Sequence, residues 1–208
     1  MEKTNESLKC SMRWGIDKFS DRDGAVYKAL RAGMSVKDAM LAFPGAFIKS
    51  ERFSGGSFSV LRSSSQKRRV FNKNLRRGSV QRRVALNEGL GELIDVICGL
   101  GTPTKWDEAN ARIGVGDSST AEAATQTGLL AATNKTYKAM DANYPQRAGQ
   151  TVEWRATFGS GDANYAWEEY TVVNAADDTG KNLNRKVASK GTKSSGESWT
   201  LSLQISLS

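Results

Sequence analysis

The segment that most restricts the fold is the last one, where residues 199–207 alternate without a fault. Trp199, Leu201, Leu203, Ile205 and Leu207 fall on one side, Thr200, Ser202, Gln204 and Ser206 on the other. A period of two is the mark of a strand with one face buried and one face wet. Val152, Trp154, Ala156 and Phe158 repeat the pattern against Thr151, Glu153, Arg155 and Thr157. Tyr165–Val173 is apolar or aromatic on both faces, as a central or interface strand is. Shorter strands are expected at Leu183–Val187 and Ala111–Val115. Turn formers such as Gly159-Ser160-Gly161-Asp162 and Asp177-Asp178-Thr179-Gly180 lie between these runs. Short strands punctuated in this way predict a mainly β chain whose residues 104–208 form an antiparallel β-sandwich. Within that region, residues 121–142 read as a loop followed by a short helix at Lys135–Asp141.

Upstream the period changes. Leu86, Leu90, Leu93, Ile94 and Ile97 lie on one helical stripe, which Gly99 and Gly101 end and Pro103 forbids from continuing. This predicts an amphipathic connecting helix within residues 83–103 whose stripe must bury against the sandwich or a neighbouring subunit. Residues 1–50 read as one or two short helices. Ala25, Val26, Ala29 and Leu30 have helical spacing, and Ser35 is placed to cap Val36–Phe43, with Asp38 three residues on and Pro44 after it. Residues 51–65, with Ser54-Gly55-Gly56-Ser57 and Ser63-Ser64-Ser65, read as a linker. Residues 1–82 are therefore expected to be a basic arm, partly helical and partly extended.

Charge sharpens that expectation. Residues 1–100 hold 19 Lys and Arg against 10 Asp and Glu, whereas residues 101–208 hold 11 against 12. Between Arg62 and Arg83 lie nine basic residues and no acid. Such a block repels itself until an acidic partner meets it. Arg68, Arg69, Arg76, Arg77, Arg82 and Arg83 are the candidate anchoring residues, and the partner is an acidic face of a neighbouring subunit or packaged DNA. Phe71 is the sole aromatic in the block, so base stacking is unsupported and docking on protein is the favoured reading.

The residues available for chemistry are few. Histidine is absent, which removes Ser–His and Cys–His nucleophiles and the commonest transition-metal ligand. Cys10 and Cys98 lack metal spacing, and Cys98, closing an apolar run, reads as a small buried hydrophobe in a reduced chain. Ile113-Gly114-Val115-Gly116-Asp117-Ser118-Ser119-Thr120 has the glycines of a phosphate loop but not its lysine. Asp21-Arg22-Asp23-Gly24 fits a helix cap better than a calcium loop, and Asp162, Asp177 and Asp178 fit turns better than a calcium site. Glu153, Glu168 and Glu169 are the carboxylates nearest strand centres, yet nothing in their spacing requires a glycosidase pair. Trp106, Tyr144, Trp154, Tyr165, Trp167, Tyr170 and Trp199 would stack sugars if exposed in a row, and otherwise fill a core or an oligomer interface. No cofactor and no enzymatic activity are expected. No run of residues is long and apolar enough for a membrane helix, and Met1–Lys9 lacks the apolar core of a signal peptide.

Several segments carry a resemblance. They are Gly99-Leu100-Gly101, Ile113–Thr120, Tyr144-Pro145, Trp154–Phe158, Ala163–Glu169, Leu183–Lys186, Lys190–Lys193 and Trp199–Leu207. From Leu86-Asn87-Glu88-Gly89 onward the chain resembles small structural proteins of tailed bacteriophages, of the collar, fibre and minor structural kind. The resemblance spans roughly the last 120 residues and does not include the first 80. It implies a virion component with a β-sandwich, assembled in several copies in the host cytoplasm, with other virion proteins as partners and no cofactor. A carbohydrate-binding module for host adsorption is the alternative reading.

Overall fold

A computed structural model describes residues 8–60 and 85–208. In chain order the elements are β1 (Leu8–Ser20), α1 (Ala25–Arg31), α2 (Val36–Ala42), β2 (Phe47–Val60), α3 (Asn87–Cys98), β3 (Arg112–Gly116), β4 (Lys135–Ala139), β5 (Gln146–Ala148), β6 (Thr151–Phe158), β7 (Glu169–Val173), β8 (Asn182–Val187) and β9 (Glu197–Leu207). Among the described residues the strands form two antiparallel sheets, ordered β2-β1-β9-β6-β5 and β4-β3-β7-β8. The chain is mainly β.

The closing strand β9 lies between β1 and β6, and its apolar side meets apolar residues on both neighbours. Leu203 stands opposite Trp14 on one side and Trp154 on the other; Leu201 stands opposite Ile16 and Ala156. Cross-strand rows of this kind are the unit of sheet stability. The row faces the second sheet, from which Ile113, Val115, Tyr170 and Val172 enter the same core. At its centre Trp167 packs edge-on against Phe158 and Trp199, each 4.8 Å away between ring centroids. Edge-to-face contact places the positive ring edge on the negative face of its neighbour.

Four sequence expectations need correction. Residues 8–20 and 47–60 are not part of an arm, because β1 is an interior strand of the five-stranded sheet and β2 is its edge. Cys10, Met12, Trp14 and Ile16 are buried, and they alternate with Ser11, Arg13, Gly15 and Asp17. Residues 51–60 of the expected linker belong to β2, because pairing with β1 gives even a Ser- and Gly-rich run backbone partners, and residues 61–65 lie outside the described residues. Lys135–Ala139 is the strand β4 and not a helix, because the free edge of β3 supplies hydrogen bonds that a short isolated helix would lack. Finally, Tyr165–Glu168 precedes β7 as a loop that drops Trp167 into the core.

The helices fall where the periodicity put them. Ser35 accepts a hydrogen bond from the Asp38 backbone N–H and caps α2. At α1, Asp21 accepts from the backbone N–H groups of Val26 and Tyr27. Phe19, Val26, Leu30 and Ala39 close a second, smaller core under these helices. Helix α3 ends at Gly99, whose left-handed backbone (φ 66°) suits a residue without Cβ. Gly89 permits its approach to β8: a Cβ there would lie 2.4 Å from the Asn182 carbonyl oxygen and 2.5 Å from Leu183 Cα, so only glycine lets the helix rest on the strand.

Candidate functional site

The six arginines proposed as anchors (Arg68, Arg69, Arg76, Arg77, Arg82 and Arg83) lie outside the described residues. The other sequence candidates are all placed, and the fold assigns structural work to most of them. Glu153 accepts from the Gln204 amide and Glu168 from the Ser189 hydroxyl. Glu169 is fully buried and paired with Arg185 through Nε at 2.7 Å and Nη2 at 2.6 Å. Its two oxygens also accept from the Ala131 and Leu130 backbone N–H groups. The phosphate-loop glycines serve this acid: Gly116 is bare because the Glu169 carboxylate occupies the space where its Cβ would stand. Gly114 likewise makes room for the Tyr137 ring.

The turn aspartates are occupied too. Asp162 binds Lys138, Asp178 binds Lys135 and the Leu129 N–H, and Asp177 accepts from the Thr179 N–H. Among the described residues no group of three or more His, Cys, Asp or Glu side chains is arranged to hold a metal ion. Among them, too, no helix is long and apolar enough to cross a membrane.

The aromatic residues resolve into a core. Trp106, Tyr144, Trp154, Trp167, Tyr170 and Trp199 are buried, and Tyr165 is half-buried with its hydroxyl on the Val115 carbonyl. None of these rings forms part of an open row on the surface.

Two buried polar centres escaped the sequence reading. In one, Asp141 accepts from Arg155 Nε (2.9 Å), Arg31 Nη1 (3.2 Å), the Thr157 hydroxyl and the Thr157 N–H. Burial pushes its carboxyl above the usual range, against the downward pull of the Arg155 guanidinium. Asp141 thereby ties α1 to β6. In the other, the buried Lys193 donates to the Gly159 carbonyl (2.7 Å) and to Asn164 Oδ1 (2.9 Å), neither of them charged. Burial pushes its amine down to about 8, although Asp162 pulls the other way.

The lysine makes stability depend on pH in a calculable direction. Unfolded, it titrates near the ordinary value of about 10.4, so between these values the native state binds fewer protons and stability rises with pH. Cys10, its thiol pushed up to about 11 by burial, acts in the opposite sense, as do the buried tyrosines. The readout is therefore the difference between wild type and Lys193→Met. Its unfolding free energy should shift in favour of wild type from about pH 7.5 to about pH 9.5. A difference that stays flat would contradict this account.

What remains is one end of the sandwich, beside α3. The helical stripe expected to be buried is split. Leu86 is buried and Leu90 and Leu93 pack on the core, whereas Ile94, Ile97 and Leu100 are 56%, 74% and 55% exposed. Cys98, expected inside, is also exposed. The helix packs on the body through Gly89, Leu90 and Leu93, while Ile94, Ile97 and Cys98 face outward. Between α3 and the ends of β1, β6 and β9 lies a cavity of about 530 Å³. Its walls are nearly all hydrocarbon, including Met12, Leu90, Leu93, Val152, Trp154 and Ile205. The periodicity marks this stripe, but the half of it that is covered is set by the packing of α3 at Gly89 on Asn182 and Leu183 of β8.

No protein-family model, curated protein or solved structure matches the chain.

Proposed function

We propose that this chain is a non-enzymatic structural protein of a tailed-phage particle. Its β body is present in several copies and is held to its neighbours by the α3 end of the sandwich together with the basic segment Arg62–Arg83. The observation that carries the reading is the exposed row Ile94, Ile97 and Leu100. Ile94 and Ile97 on α3, with Leu100 just past its end, group apolar side chains at the surface, the usual mark of a protein contact. The placement of the polar groups supports it, since the carboxylates singled out for chemistry are engaged in ion pairs and hydrogen bonds within the fold. Burial of the aromatic rings weighs against the alternative, a carbohydrate-binding adsorption module, because a sugar face needs those rings in the open.

The test is incorporation into particles. Ile94→Glu with Ile97→Glu replaces two exposed side chains, so the isolated protein should keep its unfolding midpoint. Its occupancy in virions made in a complemented host should fall at least about tenfold, as expected when two central contacts are lost. Wild-type occupancy by this variant would overturn the assembly reading. Normal occupancy with lost adsorption to host cells would favour the glycan-binding alternative instead.

A further inference from the structure

The cavity under α3 has a composition that specifies a ligand. Its volume of about 530 Å³ lies within the roughly 300–1,000 Å³ typical of small-molecule sites. Two indole N–H groups stand in its walls, and both are already committed. Trp154 Nε1 donates to the Trp106 carbonyl, and Trp106 Nε1 donates to the Lys181 carbonyl. The Cys10 thiol in the wall stays protonated, because burial pushes it up to about 11. The interior therefore offers a guest hydrocarbon contact and no strong hydrogen bond, and any polar group carried inside would go unpaired.

The mouth is different. The exposed strand β5 contributes Arg147 to it, and the β5–β6 register sets Arg147 directly opposite Val152, on the face that lines the cavity. Among the described residues Arg147 makes a single hydrogen bond, from Nη1 to the Gly149 carbonyl at 2.7 Å. A guanidinium has five N–H donors in a fork that matches a carboxylate. Among the described side chains that line the chamber Arg147 alone is charged, an arrangement complementary to an unbranched chain with a single anionic end.

We propose that this cavity binds a free fatty acid, its alkyl chain between α3 and the five-stranded sheet and its carboxylate on Arg147. The site is distinct from the assembly row: Leu90 and Leu93 line it, whereas Ile94, Ile97 and Leu100 form the row.

The experiment uses the full chain, stripped of bound lipid, titrated with dodecanoate, 1-dodecanol and dodecyltrimethylammonium. Trp106 and Trp154 report binding through their fluorescence. Dodecanoate should bind, the alcohol more weakly, and the cation least. Arg147→Gln should weaken dodecanoate by about tenfold or more while leaving dodecanol unchanged, as expected for a lost charge-assisted contact. Val152→Trp, which fills empty space at a half-buried position, should abolish uptake of both without lowering the unfolding midpoint. Failure of the wild-type chain to take up dodecanoate would overturn the proposal, whether its own residues or a second copy fill the cavity. Uptake that survives Val152→Trp would overturn the location. Equal binding of all three amphiphiles, indifferent to Arg147→Gln, would overturn the carboxylate assignment.

Discussion

Replacing Glu169 with Ala should destabilise the protein by about 3–5 kcal/mol, the usual cost of stranding one member of a buried ion pair. Arg185 is fully buried, and in the variant its guanidinium would keep, among the described residues, the Thr120 carbonyl and Gln126 Oε1 as partners. The Leu130 and Ala131 N–H groups would lose their acceptor as well. Such a loss is about a fifth or more of the roughly 5–15 kcal/mol that separates most folded domains from the unfolded chain. It would be read as a lowered midpoint in urea, with early proteolysis between residues 117 and 134, the loop that Glu169 and Arg185 hold down. Removing both partners, as Glu169→Leu with Arg185→Met, should cost less than the two single changes added together, because no charge is then stranded. A single-variant loss below about 1 kcal/mol would mean that the pair is open to water, against its burial.

The second large effect is expected at Leu203. Its side chain is fully buried between Trp14 and Trp154, at the middle of the row that joins three strands. Leu203→Ala removes hydrocarbon and leaves a cavity between two indoles too rigid to collapse into it, a change that costs about 2–5 kcal/mol. Ser202→Ala, one residue away on the opposite face of β9, is the control and should change the midpoint little. If Leu203→Ala unfolded at the wild-type midpoint, the inward face of β9 would be misassigned.

These two positions differ in how visible they were. Leu203 was legible because a strand with one wet face must alternate, and residues 199–207 do so without interruption. The same rule located β6, and the helical rule located α1, α2 and α3, since amphipathic periodicity is local and survives without knowledge of partners. It was also present at Cys10, Met12, Trp14 and Ile16, where strict alternation marks an interior strand. There the net positive charge of the N-terminal half points to an arm, and pairing between β2 and β9 overrides it. Lys135–Ala139 became a strand for the opposite reason: its own sequence is indifferent, and the open edge of β3 decided.

Glu169 was named from the sequence only as a carboxylate near a strand centre. That it would be a buried pin depended on Arg185, 16 residues away on β8, and on two backbone groups of a loop some 40 residues earlier. Charge pairing of this kind leaves no period in the chain, because it depends on which strands become neighbours. The same holds for Asp141 and Arg155, and for the cavity under α3, whose walls come from β1, β6, β9 and α3. Alternation and helical spacing were written into the chain residue by residue, since each follows from where successive side chains point. The buried charges, the exposed half of the α3 stripe and the apolar chamber arose only when distant segments met. Burial and pairing are properties of what surrounds a residue, and the tertiary packing alone supplied those surroundings.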